Sequence, residues 1–198
     1  MFNVVMLSKR MIATSDGTAS LPQSIDWDTI FSEVNSWRGA CMHNFSMVEG
    51  AVTETLLALS ATMPSQAVVR LRHLIGQRYE DLAAAIDPEG PFGDAGKHAL
   101  PELARFRENH EAFRTLICHG TVKVTVERNG RWLLLIRTLS IRSRQPDRAM
   151  LALNQSEAET KLAALKRDGT KLASLLGQLR KAVAASASTI TATRSRSS

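Results

Sequence analysis

An arginine followed five positions later by a histidine occurs three times in this chain, as Arg38 and His43, Arg105 and His110, and Arg114 and His119. An imidazole moves a proton near neutral pH, and a guanidinium is a fixed cation. Together they suit cleavage of RNA through its own 2′-hydroxyl, in which a proton must leave and negative charge grows on phosphorus, with no metal required. Context separates the third pair from the others. His119 alone is followed by glycine, Gly120, at a predicted helix end, and the turn before it, from Phe113 to Cys118, is apolar and led by an aromatic residue. Five helical residues turn through about 500°, which leaves Arg114 and His119 about 140° apart. They converge on one phosphate only if the helix ends at His119 and frees its ring, or if a second copy of the helix crosses a two-fold axis. The plain alternative is ordinary capping by a histidine at a helix end.

The Arg114, His119, Gly120 stretch resembles the Arg-x4-6-His motif of HEPN-domain proteins, helical bundles that are often metal-independent ribonucleases. The resemblance covers mainly Phe113 to Gly120, and the order of long helices, hairpin and final helix is similar to that of bacterial proteins grouped near the family. It implies a toxin or defence endoribonuclease without a cofactor, a homodimer with the site between protomers, and a possible protein inhibitor. In that reading His119 transfers the proton and Arg114 stabilises the phosphate. Thr115 occupies the position after the arginine, where the family often has Asn; it can hydrogen-bond but cannot copy an amide.

A second basic group follows: Arg128, Arg131, Arg137, Arg142, Arg144 and Arg148. Arg128, Arg131, Arg142 and Arg144 are the candidate RNA contacts beside His119, and strand alternation sets Arg137 on another face. A solvated edge strand defended against aggregation gives the same composition. His110 falls on an apolar helical stripe and reads as a hydrogen-bonded core residue. His43, His73 and His98 have no partner at metal-ligand spacing. Cys41 and Cys118 sit in helical patterns as small apolar groups, with no disulfide framework and no nucleophile pairing of Cys118 with its neighbour His119. Glu49 and Glu54 read as solvated helix positions that could also orient a site residue.

These residues need a scaffold, and the periodicities supply one. Apolar residues from Ile30 through Val34, Trp37, Cys41, Phe45, Val48, Val52 and Leu56 to Leu59 step by three and four, which predicts one helix ending near Pro64 or two helices broken at Gly39 or Gly50. Ser24 is its expected N-cap. Ser65 caps a second predicted helix through Val68, Leu71, Ile75, Leu82 and Ile86. Residues 87–96, rich in Pro and Gly, read as a plain loop without a phosphate-binding fingerprint. Residues 97–119 carry the motif on a helix stopped by Gly120.

At Gly120 the period switches from helix to strand. Val122, Val124 and Val126 alternate with polar residues, and Asn129-Gly130 favours a two-residue type I′ hairpin turn. That turn sets the valines on one face with Leu133 and Leu135, leaves Trp132, Leu134 and Ile136 on the other, and predicts a hairpin over about 121–137 with a third strand near Thr138 to Ile141. A capping box at Ser156 to Glu159 opens a last helix, interrupted at Gly169.

The expected fold is mainly α, a bundle of four to five helices with one hairpin inserted before the last. Residues 1–22 read as a mobile arm, 23–184 as one domain and 185–198 as a disordered basic tail. With 198 residues, 44% of them hydrophobic and 22% charged, the chain is long enough for a sizeable core. A net charge of +6 permits an acidic partner such as RNA. No apolar run is long enough for a membrane span, and Lys9 and Arg10 after the apolar start reverse the order of a secretory signal, so a cytoplasmic protein is expected. Two functions remain open at this point: the ribonuclease, and a non-catalytic helical module that dimerises or binds a partner.

Overall fold

The computed structural model describes residues 25–62, 69–142 and 144–195. The expected N-terminal arm and the expected caps at Ser24 and Ser65 lie outside these residues. In chain order the elements are α1 (Trp27–Thr62), α2 (Ile75–Ala85), the single turn α3 (Gly93–Gly96), α4 (Ala99–His119), β1 (Thr121–Val126), β2 (Trp132–Arg142), β3 (Gln145–Asn154) and α5 (Gln155–Ser195). This is the predicted mainly helical bundle with a strand insertion before the last helix.

The apolar stripe read along α1 is buried over its whole length, from Ile30 to Leu59. The helix passes through Gly39 and Gly50 unbroken, because α5 packs along that stripe and tertiary burial outweighs the local glycine cost. Asp26 caps its start, its carboxylate accepting from the Thr29 amide at 3.1 Å and the Thr29 hydroxyl at 2.6 Å. Gly169 does not interrupt α5. A Cβ there would come 3.0 Å from Val48 Cγ2, so the glycine lets the two long helices approach. The helix also continues past residue 184 to Ser195, beyond the expected start of a disordered tail. That stretch holds Ala185, Ala187 and Ala192 and has neither Gly nor Pro.

The second helix is shorter than its periodicity suggests. Residues 69–74 are not helical. Arg72 Nε instead bonds Asp81 Oδ1 at 2.8 Å, and Arg78 donates to the carbonyls of Arg72 and His73 at 3.0 Å, fixing the entry to α2 at Ile75. Asp81 is buried and its charge is matched by Arg72, which displaces the local helical preference.

The strands form one antiparallel sheet in the order β1-β2-β3. The turn is not the expected two-residue type I′. Gly130 alone has positive φ, at +83°; its amide donates to the Glu127 carbonyl at 3.0 Å and the Glu127 amide donates to Arg131 at 2.8 Å. The loop is therefore three residues long, a turn closed by a left-handed glycine. One added loop residue shifts the register and reverses a face. Val122, Val124 and Val126 stand opposite Ile136, Leu134 and Trp132, so the apolar residues gather on one face and Arg137 moves to the other. Trp132, Leu134, Ile136 and Leu153 are buried there. Thr138 to Ile141 do not make a third strand; they prolong β2, whose partner is β3.

Aromatic rings bind the sheet to the bundle. Trp37 lies 6.1 Å from Trp132 and 6.2 Å from Phe113, which lies 6.0 Å from Phe45. The Trp37 indole N–H donates to the Ala158 carbonyl at 2.8 Å. At the start of α5 the capping box uses Asn154 in place of Ser156: the Glu157 amide donates to Asn154 Oδ1 and the Asn154 amide to Glu157 Oε2, both at 2.9 Å. Among the described residues, no helix is long and apolar enough to cross a membrane.

Candidate functional site

The C-terminal end of α4 is held from below. Arg38 of α1 reaches it with Nε and Nη2 donating to the Ile117 carbonyl at 3.1 and 2.7 Å, and with Nη2 also 3.4 Å from the Gly120 carbonyl. The last carbonyls of a helix carry partial negative charge, and a guanidinium satisfies two of them. Gly120 stops the helix for a reason of space. Its φ is −78°, open to any residue, but a Cβ would lie 2.4 Å from Ile136 Cγ2 and 2.4 Å from the Leu116 carbonyl oxygen. The chain enters β1 directly, and His119 is left exposed at the junction of helix and sheet.

His119 lines a cleft of about 510 Å³ together with Thr121, Arg137 and Arg148, and with Leu139 and Met150 as its apolar wall. Arg137 faces Thr121 on one side and Met150 on the other, and Arg148 faces Leu139, all on the sheet face turned away from the valines. The side chains of β1 to β3 on that face include Lys123, Arg137 and Arg148 and no carboxylate. The imidazole thus shares a concave site with two guanidiniums, a setting that attracts and orients a phosphodiester.

Arg114 is elsewhere. Its Nε donates to Glu49 Oε1, and it lines a different cavity with Tyr79, Arg107 and Glu111. The hydrogen bond to Glu49 raises its pKa further. Arg114 and His119 thus line two different cavities, as their separation around the helix anticipates. Glu49, read as a solvated position, is thus the partner of Arg114, and Glu54 pairs with Arg180 at 3.3 Å. Thr115 is exposed and its hydroxyl donates back to the Glu111 carbonyl at 3.2 Å, within its own helix.

The arginines read as RNA contacts are spread out. Arg128 lies in the hairpin loop and Arg131 directly after it, at the far end of β1, about 20 Å of strand from His119. Arg144, with φ of 65°, and Arg142 belong to the opposite tip, where β2 passes to β3. Arg137 and Arg148 are the two that line the His119 cleft. Turn length hid Arg137, because the register that places it beside Thr121 depends on one loop residue, and Arg148 lies on β3, a strand that the periodicity did not mark. Arg38 carries no local signal, since its targets lie on another helix.

The second histidine on α4 is buried. His110 Nε2 lies 3.0 Å from Asp168 Oδ2, and Arg167 Nε donates to Asp168 Oδ1 at 3.0 Å. Burial opposes ionisation of Asp168, but the bonds from His110 and Arg167 together hold its carboxyl below the ordinary value. His110 is the core histidine its position on the apolar stripe suggests. Burial pushes the Cys41 thiol up to about 12 and also raises that of Cys118, so neither is an activated nucleophile. Among the described residues no group of His, Cys, Asp and Glu is placed to hold a metal ion. Neither family models nor curated proteins nor solved structures give a match to this chain.

Proposed function

We propose that this is a cytoplasmic RNA-binding protein that cleaves RNA without a metal, with His119 as the proton-transfer residue and Arg137 and Arg148 holding the scissile phosphate. The observation that carries this is the shared cleft of His119 with two guanidiniums on a sheet face that has no carboxylate. The role first read for Arg114 passes to Arg137 and Arg148, because Arg114 is engaged by Glu49. A 2′-hydroxyl supplies the nucleophile, which makes the reaction specific to RNA.

The test is cleavage of a broad RNA panel in EDTA by the wild-type chain, by His119→Ala and by His110→Asn. Cleavage by the wild-type chain that is lost in His119→Ala with an unchanged helical spectrum supports the reading. Equal residual rates for wild type and His119→Ala refute the catalytic role.

A second reading rests on a different observation. Leu139, Ile141 and Met150 are 67%, 82% and 66% exposed on the same sheet face. An exposed apolar patch of this kind suits a protein surface, and we propose a homodimer or a protein inhibitor as its occupant. Light scattering at micromolar protein, repeated with Ile141→Glu, tests the homodimer.

A further inference from the structure

Where β1 ends opposite Arg137, β2 and β3 continue as a two-stranded ribbon, from Thr138 with Ala149 to Arg142 with Gln145. Its faces are the reverse of what water favours. The face that continues from Ile136 and Leu151 carries Thr138, Ser140, Asp147 and Ala149, while the face turned away from the bundle carries Leu139 and Ile141, with Met150 at its base. An antiparallel ribbon that met only water on its outer side would be polar there, so the outward apolar set marks a surface that something covers.

Charge defines the occupant. Lys123, Arg137 and Arg148 stand exposed on that same outer face, and among the described residues none of their side chains has an ion-pair or hydrogen-bond partner. A second copy laid face to face would oppose cation with cation, because the face holds no carboxylate. This chain's remaining segments are not acidic either: residues 1–24 hold Lys9 and Arg10 against Asp16 alone, residues 63–68 hold no charge, and residues 196–198 hold Arg196. RNA accounts for the cations and not for the apolar half, since bases stack on aromatic rings and the side chains here are Leu, Ile and Met. A lipid surface is flat, whereas Arg137, Leu139, Arg148 and Met150 line a hollow of about 510 Å³.

We infer that the outer sheet face is the docking site of an acidic amphipathic helix from a protein partner, a reading that deepens the patch's role as a protein surface and takes nothing from the nuclease chemistry. Leu139, Ile141 and Met150 meet the apolar stripe of the helix, and Lys123, Arg137 and Arg148 pair with carboxylates on its flanks. The apolar residues are spread over two strands of a face rather than along one edge, which suits side-chain packing under a helix and not an added strand. From Leu133 to Ile141 the face runs about 27 Å along β2, the length of a helix of about 18 residues. A helix lying there covers Arg137 and Arg148 and competes with any phosphate for them.

The probe is a labelled, stapled helical peptide of about 18 residues, with Leu at i, i+3, i+4 and i+7 spacing and Glu on both flanks, titrated by fluorescence anisotropy into the full chain. The same peptide with Lys in place of every Glu, phosphatidylglycerol vesicles and polyuridine RNA are the comparators. An affinity on the order of 10 µM is expected for the Glu peptide, with the Lys peptide, Ile141→Ser and Arg148→Ala each weaker by about tenfold or more. Met47→Ser, which changes an exposed apolar residue on α1, should leave the affinity as it is. That pattern supports the site. No binding of the Glu peptide at about 1 mM, equal binding of the Lys peptide, or indifference to Ile141→Ser overturns it. Vesicle or RNA binding lost in Ile141→Ser, in place of peptide binding, gives the face to lipid or nucleic acid and also overturns it. A dimer in light scattering that Ile141→Glu dissociates keeps the patch as a protein surface but overturns the acidic helix as its occupant, whereas a monomer that binds no peptide removes both.

Discussion

Gly120 stands against Ile136 so closely that a side chain at this position would have its first carbon 2.4 Å from Ile136 Cγ2. The contact ties the last residue before β1 to the buried face of β2. Gly120→Ala should therefore destabilise by about 1 to 3 kcal/mol through overpacking, although the backbone angle itself is open to alanine. Chemical denaturation checks the magnitude. A neutral Gly120→Ala would show that the strand yields, and the close approach would lose its structural meaning.

The glycines of α1 should behave in the opposite way. A Cβ at Gly39 or Gly50 meets nothing within 4 Å, and both lie inside a continuous helix. Gly39→Ala and Gly50→Ala should each raise stability by about 1 kcal/mol, and their effects should add because the sites are far apart. If either substitution lowers the midpoint of thermal unfolding, α1 is broken at that glycine.

Arg38 should matter for stability out of proportion to its place on the helix surface. Its fork bonds the carbonyl oxygens of both Ile117 and Gly120. Arg38→Ala should cost about 1.5 to 3 kcal/mol, and Arg38→Lys should recover little, since an ammonium lacks the planar fork. Hydrogen exchange gives a local readout. The Gly120 amide, bonded to Leu116 at 2.8 Å, should lose protection before the middle of α4 does. Unchanged protection in Arg38→Ala would remove the capping role.

The buried pair on α4 and α5 sets an acid limb. With its folded-state pKa below the ordinary 3.8, Asp168 contributes stability at higher pH and loses that contribution as pH falls through its folded value. Asp168→Asn should be less stable than wild type at neutral pH and should show a shallower loss as pH falls through and below the ordinary carboxylate range. Parallel acid limbs for the two proteins would mean that other carboxylates govern the acid transition.

RNA binding should depend on charge at named positions. Arg137→Ala and Arg148→Ala should each weaken binding across sequences and lower the salt slope by about one. Arg114→Ala should leave that slope unchanged and reduce stability instead, because its partner is Glu49. Filter binding at several salt concentrations distinguishes them. A slope that responds to Arg114 and not to Arg137 would return the phosphate role to the first-read residue.

The long helices were legible because burial and helical period coincide: each apolar residue named on α1, from Ile30 to Leu59, is buried. The hairpin was legible as an element and not as a register. Alternation marks two strands whichever way they face, whereas the facing depends on whether both Asn129 and Gly130 or Gly130 alone take positive φ. That single difference moved Arg137 into the cleft with His119. The pairing of Arg114 with Glu49 was illegible for another reason, since the partners are 65 residues apart and neither has a local pattern. His110 was readable as a core residue from its stripe, while its pairing with Asp168, 58 residues away on α5, has no local signal.

Beyond the start of β1, strands β2 and β3 run on as a two-stranded ribbon, and β3 gives way to α5 with no residue between Asn154 and Gln155. The reciprocal bonds of Asn154 and Glu157 lock that junction. The ribbon therefore joins the last helix through a hydrogen-bonded corner at Asn154, with no slack connection between them.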